Sequence, residues 1–147
     1  MLKLEWTEDQ SVKIPLFDKE HQILINLFNK MGEALLLEDA KREIEIVLDD
    51  LTKFAKIHFS HEEEAMLKYL YPGAVEHIRE HEAFLDKIYK ITHKYNELPA
   101  SMHTKSDDYN LYLEVYSFLA GWFHTHIRKN DTKYSEYLLK AGIEKNN

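Results

Sequence analysis

Apolar residues recur along most of this chain at intervals of three and four, the repeat that lines one face of an α-helix. His21, Leu24, Ile25, Phe28 and Leu35 keep that spacing. They predict a first helix from about Asp18, as N-cap, to about Leu37. A second helix is predicted from Asp39 to about Tyr69, with Ile44, Leu48, Leu51, Ala55, His58, Glu62 and Met66 on its inner stripe. Tyr71-Pro72-Gly73 breaks the pattern. Ala74, His77, His81, Phe84 and Ile88 define a third helix; Tyr112, Val115, Leu119, Trp122 and His126 define a fourth, capped at Asp107 or Asp108. The stretch LPASMHTKSDD between these two reads as polar loop.

Residues 1–17 read as an irregular arm, because Pro15 biases Ile14 away from helical geometry. Trp6 and Phe17 can pin it to the body. Residues 132–147 read as a short tail with one helical stretch around Tyr134–Leu139. Four amphipathic stretches with short links predict an all-α, up-down-up-down four-helix bundle over about 18–131, in a single domain spanning 1–147.

The 147 residues suit one compact domain, and 44% apolar content is enough for a core. Only three prolines and four glycines interrupt the helical pattern. A net charge of −7 with no Lys/Arg stripe argues against nucleic acid as a partner. No stretch approaches the roughly 18 apolar residues of a membrane span. The N-terminus has no run resembling a signal peptide, so a cytoplasmic location is expected. The absence of cysteine removes disulfides, thiolate metal sites and cysteine nucleophiles, and fits a reducing compartment.

Seven polar residues sit where this pattern calls for apolar ones: His21, His58, Glu62, His77, His81, His126 and Asp131. HFSHE and HIREH are i,i+4 pairs, which place both side chains on one helix face. His21 and His77 stand near helix starts, His58/Glu62 and His126 near helix ends. Alternating helix direction therefore brings them all to one end of the bundle. A single histidine on an apolar stripe is more often a satisfied core residue than a ligand. The full set is different, because buried carboxylates cost several kcal/mol each unless cations compensate them. Nitrogen and oxygen donors without sulfur suit iron, manganese or zinc. Seven ligands exceed one tetrahedral ion but suffice for two if Glu62 and Asp131 bridge them. Five histidines then divide unequally, and one ion keeps a position open to a small ligand. His126 and Asp131 resist the pattern: five residues apart, they lie about 140° apart on a regular helix. They share a site only if the helix ends or is distorted between them, and Asn130 favours an end. His61, His93, His103 and His124 read as surface or supporting residues, and Glu63 and Glu64 as a solvated face.

No Glu has a His three residues on, which excludes the ferritin-like pattern. HExxH, GxSxG and Walker-type glycine loops are absent. The elements FDKEH at 17–21, HFSHEE at 58–63, HIREH at 77–81 and WFHTHIRKND at 122–131 resemble the hemerythrin family, in its single-domain bacterial form. The resemblance covers nearly the whole chain. It implies a non-haem di-iron centre with a bridging oxo or hydroxo group. His77, His81 and His126 would hold one iron, His21 and His58 the other, and Glu62 and Asp131 would bridge them. The iron carrying His21 and His58 would take O2. Phe59, Trp122, Phe123 and Ile127 are expected to form an apolar lid over it, although ordinary core packing explains each one singly. Phe123 departs from the family, which usually has leucine there.

The expected function is reversible O2 binding for storage, delivery or sensing, rather than catalysis. The alternative is a di-iron enzyme acting on O2, peroxide or nitric oxide, served by a reductase or other redox partner. No helix shows a second apolar stripe, so a monomer is expected. The chain ends soon after Asp131, so no fused output domain is expected.

Overall fold

The computed structural model describes residues 3–99, 101 and 103–143. Helix α1 spans Pro15–Ala34, α2 Ala40–Lys68, α3 Ala74–Asn96 and α4 Lys105–Trp122. A π-helical segment, Phe123–Asp131, continues α4 without a break into α5, Thr132–Ala141. No strand occurs among the described residues. Helix α1 packs on α2 and α4, and α3 packs on α2 and α4. The fold is an up-down-up-down four-helix bundle.

Two helix starts differ from the sequence pattern, for local reasons. Helix α1 begins at Pro15, before Asp18, because proline at the first helical position loses only an N–H that has no partner there. Asp18 serves the arm instead. Its carboxylate accepts from the Val12 N–H at 2.8 Å and from the Ser11 hydroxyl at 2.5 Å. Helix α4 is capped by Thr104, not Asp107 or Asp108. The Thr104 hydroxyl accepts from the Asp107 N–H, while the Asp107 carboxylate accepts from the Thr104 N–H. The helical stretch expected around Tyr134–Leu139 is α5, which runs from Thr132 to Ala141 and stops at Gly142, whose φ of +109° is a left-handed cap.

The apolar interior forms two clusters. The larger includes Leu24, Phe28, Phe59, Phe84, Val115 and Ile127; the smaller joins Val12, Ile14, Phe17, Met66, Tyr134 and Leu138. Along α1 the ring of Phe17 belongs to the second cluster and Leu24 to the first, with His21 between them. The same order, with a polar residue between the clusters, holds on α2 (Phe59, Glu62, Met66), on α3 (Ala74, His77, His81, Phe84) and beyond α4 (Ile127, Asp131, Tyr134). A polar layer thus crosses the bundle between two apolar ones, closed at its outer side by the arm and α5.

Candidate metal centre

All seven residues singled out in the sequence meet in that layer, and all are buried, none exposing more than 4% of its surface. Three groups have ligand atoms within 4.8 Å of one another: His77, His81 and His126; His21, His58 and Glu62; Glu62, His77 and Asp131. Asp131 turns its two oxygens to different partners. Oδ1 lies 3.0 Å from Nε2 of both His77 and His126, and Oδ2 lies 3.5 Å from Nε2 of His21. Glu62 Oε1 lies 3.1 Å from His58 Nε2 and 3.3 Å from His81 Nε2. Both carboxylates therefore reach from the three-histidine group to the two-histidine group.

The helical distortion needed between His126 and Asp131 is the π-helical segment, not a helix end at Asn130. An i→i+5 ladder stacks residues five apart, where an α-helix would turn Asp131 away.

Supporting contacts orient three of the rings. Glu20, Glu63 and Glu80 accept from Nδ1 of His58 (2.9 Å), His81 (2.8 Å) and His126. With Nδ1 carrying the proton, each Nε2 lone pair faces the centre. Glu63 is thus a partner of the site rather than part of a solvated face. Asn130 Nδ2 donates to the same Glu80 carboxylate, and His61 pairs with Glu20 at 2.7 Å. Tyr134 donates its hydroxyl to Glu62 Oε2. The sequence pattern did not single out Glu20, Glu80 or Tyr134. Charged residues beside a ligand (Glu20 before His21) look the same in sequence whether they face in or out. Of the remaining histidines, His93 pairs with Glu97 in solvent, and His103 joins Asp108 and Tyr95 near the start of α4.

The electrostatics are those of a site made for cations. Burial opposes ionisation of Glu62, but the nearby His58 and His81 outweigh it and hold the carboxyl well below its usual range. Asp131 is lowered despite burial and despite Glu62, by His126 and His77. Burial also opposes a charged His58, yet Glu62 and Glu20 raise its pKa to about 10. Burial, assisted by His58, lowers His21 to about 4. Metal-free, the layer keeps Glu62 ionised beside a protonated His58.

The donor atoms fit a pair of metal ions. His21 Nε2, His77 Nε2, His81 Nε2, His126 Nε2, Glu62 Oε1 and both Asp131 oxygens are buried without a hydrogen-bond partner. A group of orphaned buried acceptors in one small space is costly unless a cation fills it. Neighbouring separations near 3 Å are those of two ligands at right angles on an ion about 2.1 Å from each.

Of the expected lid residues, Phe59 stacks on His81 and Trp122 on His126, both with ring centroids 3.9 Å apart. Phe123 and Ile127 are buried in the larger cluster. Phe59 also meets His58 at 5.8 Å; Phe17 meets it at 6.2 Å from the other cluster. Phe17 was expected only to pin the arm.

A family model described as the Hemerythrin HHE cation binding domain matches residues 12–138. The chain is 28% identical over 135 residues to a bacteriohemerythrin of Clostridium acetobutylicum, covering 88% of this chain and 96% of that one. It is 25% identical over 138 residues to a bacteriohemerythrin of Stenotrophomonas maltophilia, covering 92% and 82%. Crystal structures of leucine-to-tyrosine and leucine-to-alanine mutants of a hemerythrin share the fold, with a TM-score of 0.74 and 23% identity over 94% of this chain and 98% of theirs. With a matching family model over most of its length and the site's geometry behind it, the chain belongs to the hemerythrin family.

Proposed function

We propose that this protein binds O2 reversibly at a non-haem di-iron centre held by His21, His58, Glu62, His77, His81, His126 and Asp131. The observation that carries this reading is Asp131, whose two buried oxygens face His77/His126 on one side and His21 on the other. Bound iron would supply the redox chemistry for holding and releasing oxygen. The chain's own residues make that reversible. His77, His81 and His126 would hold one ion, and His21 and His58, fewer in number, would hold the other and leave it accessible to a small molecule. Glu20, Glu63 and Glu80 fix the imidazole orientations. Phe17 and Phe59 put apolar rings beside His58, Trp122 covers His126, and Phe123 and Ile127 add buried apolar bulk, surroundings that would keep water from a bound oxygen.

The deciding experiment pairs metal analysis with oxygen titration of the reduced protein. Two irons per chain are expected, with a visible absorption band that appears on adding O2 and disappears on its removal. Fewer than two irons, or a band that cannot be reversed, would sink the proposal.

A further inference from the structure

An open groove of about 560 Å³ lies between α3 and the end of α4. The rings of Phe118 and Trp122, both partly exposed, line it. Trp122 is held in place by Phe84, with ring centroids 4.7 Å apart, and by His126 at 3.9 Å. Glu80 is the acidic side chain of the groove, and no Lys or Arg lines it among the described residues. Both hydrogen bonds to Glu80, from His126 Nδ1 and Asn130 Nδ2, go to Oε2. Its Oε1 keeps unused acceptor capacity, on a side chain that is 38% exposed. Gly121 keeps the groove open. It stands in the last turn of α4, where glycine weakens a helix relative to alanine. Its backbone is not left-handed, and a Cβ there would meet nothing within 4 Å. Neither backbone geometry nor packing asks for glycine at this position.

We propose that this groove binds an arylalkylamine, with its flat ring against Phe118 and Trp122 and its ammonium group on Glu80 Oε1. A groove of this size falls in the range of about 300–1,000 Å³ that small molecules occupy. An aromatic ring gains from stacking on aromatic walls beyond the area it buries. An ammonium on a carboxylate makes a charge-assisted hydrogen bond, about twice as strong as a neutral one. An anion would be repelled by Glu80, and a neutral ring would leave its free oxygen unused. The binding goes beyond the di-iron reading and does not depend on it, but its consequence for the metal site rests on that reading. Glu80 also accepts from Nδ1 of His126. An ammonium at Oε1 draws charge from that hydrogen bond and makes His126 a weaker metal ligand. Amine and metal thus oppose each other through one carboxylate, and each weakens the other by the same factor.

The test is a calorimetric titration of the full chain with 2-phenylethylamine. One molecule per chain is expected, bound at least about tenfold tighter than 2-phenylethanol, which lacks the charge, or butylamine, which lacks the ring. Gly121→Leu projects into open space and should abolish binding, with helicity and iron content unchanged. Should it lower helicity, Ala83→Leu, at an exposed position lining the same groove, takes its place. Glu80→Gln should erase the preference for amine over alcohol. With saturating amine, iron should pass to a chelator about 5-fold more readily or better, and the amine should have no such effect in Gly121→Leu. Equal binding of amine and alcohol, or unchanged binding in both leucine variants, overturns the assignment. A chain that sediments as a dimer, and as a monomer once Gly121→Leu is introduced, seats a second copy in the groove and overturns it too. Amine binding without effect on iron release overturns the coupling. Fewer than two irons per chain overturns the di-iron reading and the coupling with it, while the titration still decides the groove.

Discussion

At the scale of single residues, the site depends on which ring nitrogen carries the proton. Glu20 bridges His58 and His61, and its carboxyl is lowered because their hydrogen bonds and charges outweigh its burial. Glu20→Gln keeps the shape but weakens the acceptor on His58 Nδ1. Iron affinity should fall about 10- to 100-fold, the usual cost of losing such support. Competition with a chelator measures this, and an unchanged affinity would show that Glu20 does not orient His58. Phe123 is buried, at the position where the family resemblance leads one to expect leucine. A ring is bulkier than an isobutyl group in a close-packed interior, so Phe123→Leu should open space and speed both O2 dissociation and autoxidation. Equal rates in stopped-flow and in decay of the oxygenated spectrum would discard this role.

At the scale of elements, the π-helical segment is what brings both His126 and Asp131 into the polar layer. Deleting Thr125, which is exposed within it, should relax the segment to an ordinary helix and rotate Asp131 out of the polar layer. The variant is expected to stay helical by circular dichroism yet retain less than half its iron; full iron content would refute the segment's importance. A milder change probes the far end. Thr104→Ala removes the cap of α4 and should cost about 1 kcal/mol in denaturant melts, leaving metal binding untouched. That contrast separates bundle stability from site geometry.

For the whole molecule, metal and protons compete for the same layer. Without metal, His58 is protonated at neutral pH, its pKa raised to about 10 by Glu62 and Glu20 against the opposing effect of burial. Ligation requires the neutral ring, so iron uptake at pH 7 should release protons, and apparent affinity should rise with pH. The stability side has the opposite sign. A raised folded-state pKa stabilises the metal-free bundle fully below the ordinary value of 6.5, and this contribution is lost as pH climbs through about 10. Chelator-stripped protein should therefore melt progressively lower across that window, while iron-loaded protein changes little. Uptake without proton release in a weakly buffered dye assay would contradict this account. Among the described residues, no helix is long and apolar enough to cross a membrane.

The amino-acid sequence by itself determined the helices and their inner faces, because a repeat of three and four registers in every turn. It also determined the candidate ligands, since histidine and carboxylate on an apolar stripe stand out against their neighbours. Alternating helix direction then sufficed to bring His21, His58, His77, His81 and His126 to one level. Helix ends were less legible: Pro15 starts α1 and Thr104 caps α4 through choices among adjacent residues that periodicity does not distinguish. Only the tertiary structure decided how Asp131 joins His126, because a π-helical turn shows no distinct pattern of apolar residues. It alone selected Glu20, Glu63, Glu80 and Tyr134 as partners of the site, out of many acids and tyrosines of ordinary appearance. Their roles depend on which side chain lies within hydrogen-bond reach across helices, a distance set by packing and not by spacing along the chain.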